Sequence, residues 1–414
     1  VQNALIEPAS GRSDPRRRIL LELFRAALAS VDGRACVRDA LASASAPQGA
    51  ARAPVWVAAV GKAASAMVLG AHDALGASLE RTLLITKDGH VDAQAYGVPN
   101  IEVLESAHPM PDERSLAAGE RLLEWVDAIP PHVEPLFLVS GGASSLVEAL
   151  VPGATFARLT ALNARGLASG LAIGELNAQR AQLSRIKGGR LAARLAGRPA
   201  RALFISDVPG HDPAVIGSGL LGPSGVEGDR IERQIVASID IARDRVQAAA
   251  AALGLEAWKD SATFDGPAER LAVRFSHELH MKPSQVCVWG GESVVTLPEN
   301  PGRGGRNQHL ALAAARIIAG HDNLLLLVAG TDGTDGVTSD AGALVDGETC
   351  SRIALAELDV HRCLATADSN AALAAAGDLI HTGPTGTNVG DIVIGLKLAR
   401  TAAAELPADR DSPA

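Results

Sequence analysis

The chain has 414 residues, more than one hydrophobic core usually serves, so two domains are expected. Hydrophobic residues at 47% against 21% charged exclude a largely disordered protein. A net charge of -9 with only 3% aromatics supplies neither the phosphate-neutralising surplus nor the stacking platforms of a nucleic-acid binder.

In chain order, Asp14-Pro15 is a good N-cap and first-turn pair, and Arg16-Arg17-Arg18 after it reads as the solvated start of an amphipathic helix. Apolar runs rich in β-branched residues then alternate with helical patterns, the signature of parallel sheets flanked by helices. Predicted strands are Pro54–Val60, Thr82–Thr86, Ile101–Glu105, Leu136–Ser140 and Arg201–Ser206. Between them lie predicted helices at Glu113–Ala128, behind the cap Asp112, and along Phe156–Leu195. An Ala-rich helix is expected over Arg230–Gly254 and another over Pro267–His280. The pattern restarts at Gln285–Val288, with strands at Leu324–Ala329 and Ile392–Ile394 and helices at Gln308–Ala319 and Cys350–Leu358. The restart divides the chain into domains of residues 1–264 and 265–414. No apolar run approaches the ~18 residues of a membrane span, and the scattered Cys36, Cys287, Cys350 and Cys363 form no CxxC pair, which fits a reducing cytoplasm.

In open α/β sheets ligands bind beyond the carboxyl ends of strands, and several strand ends here carry chemistry. Gly61-Lys62 follows the first predicted strand and sets an ammonium at a strand end. Ser140-Gly141-Gly142-Ala143-Ser144-Ser145 supplies bare N–H groups, hydroxyls and a helix start, suited to phosphate or simply to a tight turn. Asp207 ends another strand. Gly302-Arg303-Gly304-Gly305-Arg306-Asn307-Gln308 leads two guanidinium groups through a glycine-rich segment, the chemistry of an anion site. Thr331-Asp332-Gly333-Thr334-Asp335-Gly336 offers hard oxygens suited to Mg²⁺ or to two Asp-Gly turns, and lacks the EF-hand spacing. Thr382-Gly383-Pro384-Thr385-Gly386-Thr387-Asn388 is a second hydroxyl- and glycine-dense loop. Gly217-Ser218-Gly219-Leu220-Leu221-Gly222 matches G-x-G-x-x-G, but Pro223 bars the helix that a dinucleotide fingerprint requires. His277 and His280 lie three apart, not at the H-E-x-x-H spacing, and read as helix-surface residues.

Taken together and in order, Val60-Gly61-Lys62-Ala63, Ser106–Asp112, Ser140–Leu146, Ile186–Leu191, Ile205–Val208, Gly304–Gln308, Ala329–Gly336 and Thr382–Asn388 resemble the glycerate 2-kinase family, whose C-terminal part is the MOFRL module. The resemblance implies a larger Rossmann-like three-layer α/β/α N-terminal domain, a smaller α/β C-terminal domain and an active site in the cleft. It implies transfer of the γ-phosphoryl of ATP to the 2-hydroxyl of D-glycerate with Mg²⁺. Lys62 and Arg306 match basic residues proposed for catalysis and substrate binding, and Asp207 matches a cleft aspartate.

On that basis Gly141, Gly142, Ser144, Ser145 and Lys187 are expected to cradle phosphates, with Thr385, Gly386, Thr387 and Asn388 also at the nucleotide. Asp207 or Asp335 would hold the metal. A small-molecule substrate is implied, with no nucleic-acid or membrane partner, and a homodimer is compatible with it. Hydroxypyruvate reductase and a non-catalytic small-anion binder are the alternatives. The chain departs from the family at Ala143, where a third glycine is common, and at Ala367-Asp368, where the family commonly has Asn-Asp.

Overall fold

The structure, a computed structural model, describes residues 7–8, 14–43, 53–169, 173–225 and 228–399. Two compact units emerge. One is formed by Val31–Ser238 with Gly386–Val389, the other by the first 30 residues, Ile239–Thr385 and the chain from Gly390. They are called below the first and second unit. A short strand β1 (Glu7–Pro8) and the helix Pro15–Ser30 open the chain in the second unit.

The first unit is built on β2 (Val55–Val60), β3 (Leu79–Lys87), β4 (Ile101–Ser106), β5 (Glu134–Val139), β6 (Ala200–Ile205) and β7 (Ile231–Ala237). Every neighbouring pair is parallel, in the order β4-β3-β2-β5-β6-β7. Val57, Ala58, Leu83, Phe137 and Leu138 are buried, as expected of strands covered on both faces. Asp112 caps the helix Glu113–Asp127, accepting from the N–H groups of Arg114 and Ser115. The helical stretch expected over Phe156–Leu195 is broken into Phe156–Ser169, Ile173–Leu183 and Arg190–Arg194, and residues 170–172 lie outside the described residues.

The long helix expected over Arg230–Gly254 divides. Ile231–Ala237 pairs with β6 as the edge strand β7, and only Ile239–Ala252 is helical. The β-branched pair Ile235-Val236 and a row of hydrogen-bonding partners on β6 override the helix formers around them.

The second unit adds β8 (Ala257–Pro267), β9 (Val286–Val294), β10 (Leu324–Gly330), β11 (Asp340–Asp346), β12 (Leu379–His381) and β13 (Asp391–Lys397). Its seven-stranded sheet runs β1-β12-β11-β10-β13-β9-β8 and is antiparallel except for β8 with β9. The parallel sheet expected here is therefore replaced by a mixed one. Ala257–Pro267 and the helix Ile239–Ala252 fall in this unit, so the chain enters it upstream of residue 265. No helix among the described residues is long and apolar enough to cross a membrane.

The basic run at the start of the first helix is not solvated as expected. Asp14 does receive the backbone N–H of Arg16, but Arg16 and Arg17 are buried and only Arg18 is exposed. Arg17 is paired with Asp346 at 2.6 Å and Asp378 at 2.9 Å and donates to the Leu344 carbonyl at 2.8 Å. Arg352 and Thr349 complete the shell around Asp378. Arg17 thus fastens the N-terminal helix to the second unit's sheet.

Removing one partner of a buried pair leaves the other charge uncompensated, typically costing about 3–5 kcal/mol. Arg17→Ala should lower the urea midpoint by a corresponding amount, and an unchanged midpoint would contradict the fastening role. Ala367 adopts φ +52, a left-handed conformation that asparagine tolerates better than alanine. Ala367→Asn should stabilise by up to about 1 kcal/mol, measured in the same denaturation series.

Candidate active site

Strand order reverses between β2 and β5, since β3 and β4 lie to one side of β2 and β5, β6 and β7 to the other. This is the topological switch point at which open α/β sheets bind ligands. Gly61-Lys62 leaves β2 and Ser140-Gly141-Gly142 leaves β5 at that point, while Ser206-Asp207 follows on β6.

The loops interlock through their backbones. Lys62 N–H donates to the Gly141 carbonyl at 2.9 Å, and Ala63 N–H donates to Ser140 Oγ at 3.1 Å. Gly61 has no room for a side chain: a Cβ there would lie 2.1 Å from Ser140 Oγ and 2.6 Å from the Ser140 carbonyl oxygen. At Gly141 a Cβ would lie 2.1 Å from both Asp207 Oδ2 and Asn388 Nδ2, two atoms that are hydrogen-bonded to each other at 3.4 Å. Gly142 is left-handed, at φ +85, and a side chain there would meet Lys62 Cγ at 3.1 Å and His108 Cδ2 at 3.2 Å. The first unit thus gathers Lys62, Gly141, Gly142, Asp207, Asn388 and His108. The imidazole of His108 was not singled out from sequence. Its only signal was its place in the Ser106–Asp112 string.

Lys187 sits behind this turn. It is buried, and its Nζ donates to the Ser144 carbonyl and to Glu148 Oε2, both at 2.7 Å. Burial pushes its ammonium below the usual lysine range, and Glu148 opposes that shift. Lys187 therefore braces the turn. Ser144 Oγ meets Ser218 Oγ at 2.6 Å, and Ser145 Oγ donates to the Pro109 carbonyl at 2.7 Å. Ala143 is fully buried at the start of the short helix Ala143–Leu146 and has no positive φ, so the family's third glycine is not required there. Gly386 accepts the Gly33 N–H at 3.2 Å, whereas Thr385, assigned to the second unit, donates to the Thr331 carbonyl at 2.5 Å.

The second unit carries a separate charged cluster. Asp391, at the start of the central strand β13, lies opposite Gly330 of β10 and Gly291 of β9. Arg306, the first residue of the helix Arg306–Ile317, donates Nε to Asp391 Oδ2 at 2.7 Å and Nη2 to Asp391 Oδ1 at 3.1 Å. Its Nη2 also reaches Glu292 Oε1 at 2.6 Å. Asp335 caps the same helix from outside, accepting the Asn307 N–H at 3.1 Å on Oδ1 and the Gln308 N–H at 2.8 Å on Oδ2. The two buried carboxylates share Asn307 Nδ2, at 3.3 Å and 3.0 Å. Burial pushes Asp335 up to about 7, with the backbone N–H donors opposing and Asp391 adding to the rise. Burial also raises Asp391, against the guanidinium of Arg306.

Hard oxygen donors stand on both units. Asp207 is half-buried at a strand end beside bare glycine backbone, a donor suited to magnesium. Both oxygens of Asp335 already receive backbone N–H groups, so its geometry is that of a helix cap. Among the described residues no group of three or more His, Cys, Asp or Glu could hold a metal ion.

Fold and strand-end residues define a two-unit α/β protein whose first unit opens glycine-rich strand ends at a topological switch point. Models of two families match the chain, a domain of unknown function (DUF4147) at residues 19–253 and the MOFRL family at residues 285–391. The chain is 35% identical over 381 residues to the D-glycerate 2-kinase of Thermotoga maritima, covering 83% of this chain and 90% of that one. It is 34% identical over 421 residues to a putative hydroxypyruvate reductase of Agrobacterium vitis, covering 91% and 93%. The crystal structure of a Thermotoga maritima glycerate kinase matches with a TM-score of 0.80 at 32% identity, covering 92% of this chain and 99% of that one. The chain belongs to the glycerate kinase family.

Gly141→Ala places a methyl group on the Asp207–Asn388 pair. Overpacking of this kind costs about 1–3 kcal/mol. A lowered thermal midpoint together with lost activity is the expected outcome, and a fully active, equally stable variant would show that the close approach is dispensable.

Proposed function

We propose that the protein is an ATP- and Mg²⁺-dependent kinase that phosphorylates the 2-hydroxyl of D-glycerate. The observation that carries this reading is the meeting of Lys62, the Gly141-Gly142 turn and Asp207 at the strand-order reversal, in a chain akin to a D-glycerate 2-kinase along most of its length.

Phosphoryl transfer asks for positioning and charge neutralisation more than for covalent chemistry. In this reading the bare N–H groups of Gly141 and Gly142, with Ser144, receive phosphate oxygens, while Ser145, whose hydroxyl donates to the Pro109 carbonyl, and Lys187 hold the turn in shape. The Lys62 ammonium neutralises charge on the transferring phosphoryl. Thr385, Gly386, Thr387 and Asn388 line the nucleotide, and Asn388 also orients Asp207. The charge of the phosphates would be offset by a magnesium ion. Asp207 is the residue that would hold it, with Asp335 retained as the cap that aims the helix behind Arg306. Arg306, fixed by Asp391 and Glu292, keeps Nη1 for an anion.

The reductase name carried by the Agrobacterium vitis relative suggests a rival chemistry. Its nucleotide fingerprint would fall on residues 217–222, where a short 3₁₀ turn, Ile216–Ser218, stands in place of a strand-to-helix junction. That context opposes a dinucleotide site.

In an ADP-release assay with D-glycerate, Lys62→Ala should lower kcat by about 100- to 1000-fold, the usual cost of removing one preorganised electrostatic donor. NADH absorbance should stay constant when hydroxypyruvate is supplied. Near-normal turnover in both Lys62→Ala and Arg306→Ala, or steady NADH oxidation by the wild type, would sink the proposal.

A further inference from the structure

The loop after β4 carries an imidazole to a place that its strand alone does not explain. β4 is an edge strand of the first unit's sheet, with β3 and β2 between it and β5. Neighbouring strands stand about 4.8 Å apart, so a residue that follows β4 meets the turn after β5 only if its loop runs back across the strand ends.

The fold supplies that path and pins it along its length. At the start, Ser106 is buried, its Oγ donates to the Leu146 carbonyl at 2.8 Å, and its own carbonyl accepts the Asp88 N–H at 3.3 Å. In the middle, the Pro109 carbonyl accepts Ser145 Oγ at 2.7 Å. At the end, Asp112 Oδ1 accepts the Ser115 N–H at 3.3 Å and Ser115 Oγ accepts the Asp112 N–H at 3.2 Å, the reciprocal bonds of a capping box. Ser145 and Leu146 belong to the short helix that continues the Gly141-Gly142 turn, so loop and turn hold one another.

His108, inside this loop, presents its Cδ2–Nε2 edge to Gly142. A Cβ built on Gly142 would lie 3.2 Å from His108 Cδ2, 3.4 Å from Nε2 and 3.1 Å from Lys62 Cγ. Imidazole and lysine stem therefore converge on a face of the turn that has no side chain of its own. An imidazole N–H is a hydrogen-bond donor on a rigid ring. Preset beside an ammonium, it suits an oxygen on which negative charge develops, because it needs no reorganisation during the reaction.

We propose that His108 is a catalytic residue whose Nε2–H donates to an oxygen of the γ-phosphoryl group, which it shares with Lys62. This rests on the kinase reading above, which sets the nucleotide's phosphates at the Gly141-Gly142 turn and gives the transferring phosphoryl to Lys62. Every group involved lies in the first unit.

The test titrates the wild type, His108→Ala, His108→Phe and His108→Gln calorimetrically with the non-hydrolysable β,γ-imido analogue of ATP and with ADP, both in excess Mg²⁺. Loss of a hydrogen bond to a charged oxygen should weaken the triphosphate analogue by about 10- to 100-fold in His108→Ala and leave ADP binding unmoved. His108→Phe keeps the bulk of the ring without its nitrogens and should lose as much. His108→Gln, which keeps an N–H near the Nε2 position, should recover part of the affinity. In the ADP-release assay with D-glycerate, kcat of the alanine variant should fall by about 100- to 1000-fold.

Wild-type affinity for the triphosphate analogue in His108→Ala overturns the assignment. An equal loss of both nucleotides overturns it too, since that is the mark of a reshaped turn. If the alanine variant fails to fold, His108→Phe decides by the same criteria. A wild type that binds both nucleotides and leaves D-glycerate unphosphorylated contradicts the kinase reading alone, and the nucleotide comparison still decides on His108. A wild type that binds neither nucleotide overturns both.

Discussion

At the carboxyl ends of β2, β5 and β6 three loops approach so closely that two of their residues cannot carry a side chain. Gly61 lies against Ser140, and Gly141 lies against the Asp207–Asn388 pair. Everything proposed for the first unit depends on this approach. It brings glycine backbone beside Lys62 and Asp207, the residues to which the proposed reaction gives charge neutralisation at the phosphoryl group. The buried Lys187–Glu148 pair serves the same end, since it holds the Ser144 carbonyl from below and limits how far the turn can relax.

The second unit solves a different problem, the placing of a cation. Arg306 is drawn to Asp391 on the central strand, and Asp335 caps the helix that Arg306 begins. Two acids and one base in so dry a place are costly, which the raised Asp335 and Asp391 express directly. The return is a helix start whose direction is fixed at both its backbone and its first side chain.

The first sheet was legible in the sequence because its strands are short β-branched runs ended by glycine or a polar residue, and Asp112 marked its helix plainly. The antiparallel character of the second sheet was not, because β11 (Asp340–Asp346) and the polar β8 (Ala257–Pro267) show no clear apolar alternation. β7 was hidden inside an alanine-rich helix pattern and was decided by an available sheet edge. Arg16 and Arg17 looked solvated because the groups that receive them in the fold, the Asp322 carbonyl for Arg16 and the Asp346 and Asp378 carboxylates for Arg17, lie more than three hundred residues away in sequence. For the same reason nothing near Lys187 announced Glu148, and Asp335 could be read as a metal ligand when its oxygens serve a helix more than twenty residues upstream. Strand ends and glycine contacts were readable; the partners of charged groups needed the fold.

The central claim is that this scaffold directs a phosphoryl group onto one particular hydroxyl of a small acid. Phosphorus NMR of a reaction containing the protein, ATP, Mg²⁺ and D-glycerate tests it most directly, because the proton coupling of the product resonance identifies the phosphorylated carbon. The account predicts 2-phospho-D-glycerate accumulating in step with ADP. The 3-phospho isomer, or ATP and D-glycerate left unchanged, would contradict it.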